Sequence, residues 1–249
     1  MVFNIVFDIA ERITMDVLPQ ASLFLGIIPA LIILFIALKG YDGYYKDKNM
    51  FLSFVVGIIF GFIAAFVQSL YTSAILFIII LAIFNQLFKT IVLNIRRLHQ
   101  KKETPIYGLS LGLGFGSSFT PFMLISASVF ISTNINILSI FALGSLGIIF
   151  FHGATGTFIG YGIFEKKLTR ILIISILLEL PLGALFGLMI FYSNLNSITY
   201  QIIFSLSMVI YGLIIFIFVI YKILPDIKTR KDRRKNKKVK KSGKNENGK

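Results

Sequence analysis

The 249-residue chain is too hydrophobic for a soluble domain, because 56% of its residues are hydrophobic and its mean hydropathy is +0.85. A soluble protein of this length could not cover its surface with so few polar side chains. The absence of Cys excludes disulfides, thiolate metal sites and a cysteine nucleophile, and two His residues argue against a multi-histidine zinc site. We therefore expect a membrane protein without metal or cofactor.

The formal net charge of +14 is concentrated at one end of the chain. Thirteen of the 25 Lys and Arg residues lie between Lys222 and Lys249. This distribution does not favour nucleic acid as a partner, since the charge is not spread over a binding surface. A basic run after a hydrophobic helix either binds anionic lipid headgroups or remains a solvated, disordered tail. Membrane lipids are thus the expected partner of this segment.

Long apolar runs predict an all-α, polytopic membrane helix bundle, because backbone amides in hydrocarbon must pair internally. In residues 1–20, apolar side chains fall on one helical face and polar or charged side chains on the other, which predicts an interfacial amphipathic helix. Residues 21–224 are predicted to form a seven-helix transmembrane domain and residues 225–249 a basic, disordered cytoplasmic tail. The predicted spans are 21–38, 52–69, 71–95, 106–130, 137–163, 169–192 and 199–223.

The basic residues predict the orientation, because cytoplasmic loops are enriched in Lys and Arg. Apart from the tail, they fall in alternate connections, at 39–51, 96–105 and 164–170, whereas the connections near 70, 131–136 and 193–198 have none. An N-out, C-in arrangement with seven spans leaves only Arg12 and Lys89 off the cytoplasmic side. We expect a multi-pass protein of a prokaryotic cell membrane with a cytoplasmic C-terminus.

Three predicted spans carry polar or titratable residues away from their ends, where such groups are costly and need partners. At about 1.5 Å of rise per residue, those of the third, fifth and sixth spans reach nearly the same depth. The sequence therefore predicts a shared polar centre near the bilayer midplane. A structural network and a reactive or ligand-binding site would both give this pattern. The residues concerned are Asn85, Gln86, Lys89, His152 and Glu179.

Small residues recur at three- to four-residue spacing in the fourth and fifth spans, and such stripes allow close helix packing in membranes. They could pack against a neighbouring span of this chain or dock onto a partner protein. The predicted packing residues are Gly108, Gly112, Gly116, Thr120, Gly153, Gly156 and Gly160.

Four segments occur in the order found in a known superfamily: NQLFK (85–89), YGLSLGLGFG (107–116), FHGATGTFIGYGIFEKK (151–167) and LLELPLG (177–183). Together they resemble the glutamate-dependent intramembrane proteases, which include PrsW-like and CAAX prenyl proteases. The nearest likeness is to the Aph (anterior-pharynx-defective) subunit of γ-secretase. This resemblance implies a seven-span bundle with an intramembrane His at position 152.

The chain departs from the active members of that superfamily at the catalytic positions. Their EExxK pattern corresponds to Asn85, Gln86 and Lys89, and amides cannot act as a general base. A second polar pair of the PrsW-like enzymes falls on Phe119 and Thr120. Glu179 stands where a second His is expected, and a Glu next to His152 could form an ion pair or a hydrogen bond.

The leading hypothesis is therefore a non-catalytic, Aph-like scaffold, or pseudoprotease, that stabilises a presenilin-like aspartyl protease in the membrane. Catalytic residues are not expected. A first alternative is a divergent PrsW-like protease that uses Glu179 and His152. A second is a transporter of protons or small solutes, since ionisable groups at the midplane also mark pathways.

Overall fold

The computed structural model describes residues 24–69, 75–119, 121–122, 135–195 and 197–228, which contain the seven α-helices named below, further helical residues at 119 and 121–122, and no strand. This confirms the all-α prediction. Five of the helices are long and apolar enough to cross a membrane, so the chain is a multi-pass membrane protein. The helices are α1 (Phe24–Leu38), α2 (Asp47–Ser69), α3 (Ile75–Leu93), α4 (Thr104–Ser117), α5 (Ile135–Phe164), α6 (Leu168–Asn194) and α7 (Ile198–Phe218).

The two central helices of the bundle are α4 and α5. All 14 residues of α4 are buried, and 78% of the apolar stretch of α5 is buried, against 22–33% in α2, α3, α6 and α7. The outer helices instead expose large apolar side chains such as Phe35 and Ile91. Apolar side chains facing outward need no polar cover in a lipid bilayer. The chain thus buries its small-residue helices and surrounds them with its most hydrophobic ones.

The predicted small-residue stripes lie between α4 and α5, which run antiparallel. A Cβ atom on Gly108 would meet the backbone of Gly156, and one on Gly112 would meet the backbone of His152. Further along, a Cβ on Gly116 would lie 2.8 Å from Ile149 Cα, and one on Gly160 would lie 2.6 Å from Thr104 O. These glycines therefore pack two helices of this chain together and leave no space for a partner between them.

The remaining glycine contacts extend this close packing to the neighbouring helices. A Cβ on Gly153 would lie 2.6 Å from the side chain of Leu113. On the other side of α4, Gly57 and Gly61 of α2 meet its backbone, and Gly147 of α5 meets Gly212 of α7. Thr120, which the sequence placed on the packing surface, lies outside the described residues, as do residues 1–20 and 229–249.

The fourth helix is interrupted within the predicted span 106–130. Helix α4 ends at Ser117, a turn follows at Ser118, and helical backbone resumes at Phe119 and at 121–122, whereas residues 123–130 lie outside the described residues. The hydroxyls of Ser117 and Ser118 donate to the carbonyl oxygens of Gly114 and Phe115, at 2.7 Å each. Serine side chains compete in this way with the backbone for carbonyl acceptors, which accounts for the interruption.

The C-terminal end of α7 contacts the connection between α1 and α2. The helix continues as a π turn (Val219–Ile223) and a 3₁₀ turn (Leu224–Ile227). Beyond them, Lys228 Nζ donates to Gly40 O at 2.8 Å and lies 3.8 Å from the centre of the Tyr41 ring. A cation over an aromatic face is attracted by the ring quadrupole. The contact links residue 228 to the first helical hairpin.

Candidate functional site

Three helices bring the predicted polar residues together in the interior of the bundle. Asn85, Gln86 and Lys89 come from one side of α3, since residues three and four apart share a helix face. His152 lies on α5 and Glu179 on α6. Each of the five side chains is less than 5% exposed, so all depend on partners inside the protein.

The carboxyl group of Glu179 is held by the two amides of α3. Asn85 Nδ2 donates to Glu179 Oε1 at 2.6 Å, and Gln86 Nε2 donates to Glu179 Oε2. Consecutive residues on α3 thus bind the two oxygens of one carboxyl group on α6. Hydrogen bonds to a carboxylate are stronger than those between neutral groups, so this contact joins the two helices firmly.

Lys89 forms a second cluster with α5. Its Nζ lies 3.0 Å from His152 Nδ1 and donates to Thr155 Oγ1 at 2.7 Å. Because Lys89 is a donor, His152 Nδ1 is the acceptor and the ring carries its proton on Nε2. Sequence reasoning missed Thr155, although its position three residues after His152 on α5 could have indicated it.

Three phenylalanines surround His152. The centroid of its ring lies 4.8 Å from that of Phe115, 5.6 Å from Phe119 and 5.5 Å from Phe151. Phe119 is stacked on the imidazole, and Lys89 Nζ lies 5.4 Å from the centre of Phe115. Phe119 therefore covers one face of the histidine ring.

The structure differs from the expected pairing of Glu179 with His152. Glu179 accepts from the amides of α3 and His152 contacts Lys89, and within the described part of the chain no hydrogen bond joins Glu179 to His152. Helix α3 therefore connects α5 with α6 through separate contacts. Sequence spacing predicts the depth of each group but not the rotation of its helix, which decides the partner.

The donor set of the centre does not favour a metal ion, since no group of three or more His, Asp or Glu residues occurs among the described residues. A small pocket lies beside the centre, with a volume of about 10 Å³, and Phe119 forms part of its wall. Apart from Ser145, the residues that line it are apolar or glycine: Phe119, Phe141, Gly144, Ile148, Phe186 and Met189.

The fold and the centre define a helical multi-pass membrane protein whose buried polar side chains are paired across three helices. No protein-family model, curated protein or solved structure matches the chain.

Proposed function

We propose that this chain is a non-catalytic scaffold subunit, similar to Aph, that stabilises a partner intramembrane protease of the presenilin-like aspartyl class. The polar centre keeps α3, α5 and α6 in one arrangement, and the bundle offers its outer surface to the partner. The proposal combines the resemblance of the four sequence segments with the hydrogen bonds of the buried residues.

The binding of both Glu179 oxygens by Asn85 and Gln86 is the observation that carries the non-catalytic part of the proposal. A general base needs an oxygen that can take a proton from water. Here the amides bind both carboxyl oxygens and fix the group as a contact between α3 and α6, and by the resemblance the amides stand where active members of the superfamily carry their carboxylates. His152 is likewise engaged, through Lys89.

The surface proposed for the partner is the outward face of the peripheral helices. The glycine stripes of α4 and α5 are occupied by packing within the chain, so they are not part of it. Helix α3 contacts the rest of the bundle through its polar residues and through apolar ones such as Phe88, and it points Ile83, Leu87 and Ile91 outward. Such a face can contact lipid or another membrane helix equally well.

The scaffold proposal is tested by purifying the full chain from its native membrane in a mild detergent and identifying proteins present in stoichiometric amounts. We expect a multi-span protein with two intramembrane Asp residues, whose abundance falls when this chain is deleted. The glycine variant Gly112→Ala, which disturbs the bundle, should lower that abundance as well, whereas Gly187→Ala should not. Purification of the chain without any stoichiometric partner protein would contradict the proposal. So would a partner whose abundance is unchanged by the deletion.

The protease alternative is favoured by one observation, the approach of Glu179 and His152 to the same helix, α3. Cleavage of membrane peptides by the purified chain would support it only if Glu179→Gln abolished the activity. The matched control is Glu165→Gln, because Glu165 lies in the turn between α5 and α6 and pairs with Lys167. Absence of cleavage in the wild type would favour the scaffold.

A further inference from the structure

Several buried oxygens near the polar centre have no hydrogen-bond partner. Four buried side-chain atoms without a partner occur among the described residues: Asn85 Oδ1 and Gln86 Oε1 on α3, Ser175 Oγ on α6, and Gln201 Oε1 on α7. Buried polar atoms normally find partners in the protein or in ordered water, and each exception calls for an explanation. Three exceptions on two facing helices point to a common cause.

Ser175 belongs to the same part of the bundle as the two amides. On α6 it lies one turn before Glu179, and its side chain is fully buried. The antiparallel register of α3 and α6 follows from two contacts: a Cβ on Gly183 would lie 2.7 Å from Ile78 Cγ2, and Asn85 binds Glu179. Continuing this register by one turn places Ser175 opposite Lys89.

Lys89 supplies the donor that complements these oxygens. An ammonium group has three N–H donors, and His152 and Thr155 account for two of them. No ion pair joins Lys89 directly to Glu179 in the described part of the chain. The Lys89 cluster and the Glu179 cluster thus lie one helical turn apart, each with unused hydrogen-bonding capacity.

We propose that ordered water joins the two clusters. It accepts from the third N–H of Lys89, donates to the free amide oxygens of Asn85 and Gln86, and contacts the Ser175 hydroxyl on α6. Water both donates and accepts, so it matches a site with one donor and several acceptors. A bound cation in place of water would match only the oxygens, and the positive charge of the Lys89 ammonium group would repel it.

The proposal is tested by solid-state NMR of the full chain in bilayers, with transfer of magnetisation from water protons to the nitrogen-bound protons of labelled side chains. We expect the signals of Asn85, Gln86 and Lys89 to build up several-fold faster than the backbone amide of Leu109, a fully buried residue of α4. Equal build-up would overturn the proposal. Because this comparison uses the wild type, it does not depend on the folding of a variant.

Two further arms identify the bridging molecule. Ser175→Ala removes a hydroxyl that has no protein partner, so we expect slower build-up at Asn85 and Gln86 in an intact fold. The matched control Ser110→Ala, which loses a bond to Met50 O, should leave these signals unchanged. No effect of Ser175→Ala would overturn the bridge to α6. A change on replacing sodium by choline would overturn water in favour of a cation.

Discussion

Asn85 Nδ2 donates to Glu179 Oε1 across 2.6 Å, so the third and sixth helices meet through an amide and a carboxyl group in the middle of an apolar bundle. Gln86 completes the contact at the second oxygen. Carboxyl groups at these two positions of α3 would repel Glu179 when ionised, whereas amides donate hydrogen bonds to it. The two amides and Glu179 are thus chemically complementary.

Removal of the Glu179 carboxyl group should destabilise the bundle. In Glu179→Leu, the side-chain N–H groups of Asn85 and Gln86 lose their acceptors, and each unpaired buried donor costs about 1–3 kcal/mol. We expect a lower midpoint of unfolding in detergent, with a smaller loss for Glu179→Gln, which retains one acceptor. Glu165→Leu is the control, because Glu165 is more exposed and bonds only to a neighbouring turn residue. Equal midpoints for Glu179→Leu and its control would contradict the assigned contact.

The packing of α4 against α5 predicts opposite outcomes for two glycine substitutions. In Gly112→Ala the new methyl group would meet the backbone of His152, whereas in Gly187→Ala its nearest neighbour is Ile78 Cδ1 at 4.0 Å. Overpacking of this kind costs about 1–3 kcal/mol. Unfolding of the two variants under identical conditions should show a loss for Gly112→Ala alone. A tolerated Gly112→Ala would show that the two helices lie further apart.

The bond between Lys89 and Thr155 should contribute measurably to stability. Thr155→Val keeps the shape of the side chain but removes the acceptor that Lys89 uses at 2.7 Å. Interhelical hydrogen bonds in membranes contribute about 0.6 kcal/mol on average and up to about 1.7 kcal/mol. Thr157→Val is the control, since its hydroxyl bonds only within α5, to Gly153 O. Unfolding titrations should rank Thr155→Val as the more damaging change, and the reverse order would argue against the Lys89 contact.

The proposed orientation can be tested directly because the chain has no Cys. Single cysteines at Lys101 and Leu195 report on connections predicted to lie on opposite sides of the membrane. A membrane-impermeant maleimide added to intact cells should label Leu195→Cys and spare Lys101→Cys. Labelling should become equal after the membrane is permeabilised. The opposite pattern in intact cells would reverse the N-out, C-in prediction.

Sequence reasoning was most informative where a single physical constraint decides the outcome. The rise of an α-helix and the thickness of the bilayer suffice to predict that Gln86, His152 and Glu179 lie at nearly the same depth. The partners of these side chains depend instead on helix rotation. Periodicity leaves rotation open in α5 and α6, whose hydrophobic residues are distributed around the whole helix. The contact of His152 with Lys89 was therefore not predicted.

The end of α4 and the role of Thr155 illustrate the same limit at a local scale. Hydropathy predicts one continuous span over 106–130, but the serine side chains at 117 and 118 bind backbone carbonyls and a turn at Ser118 interrupts the helix. Whether a serine or threonine bonds to its own helix or to a neighbour depends on tertiary packing. The hydroxyl of Thr157 donates to a carbonyl of its own helix, whereas that of Thr155 also accepts a hydrogen bond from Lys89, although the two threonines are only two residues apart.

The complete burial of α4 separates this helix from the properties of the surrounding lipid. Its 14 residues extend only about 21 Å at 1.5 Å per residue, less than the hydrocarbon thickness of about 30 Å. For a lipid-facing helix, such a mismatch would thin the bilayer or force an adjustment of its ends. Since α4 touches other helices in place of acyl chains, a change in bilayer thickness would reach it only through tilting of its neighbours.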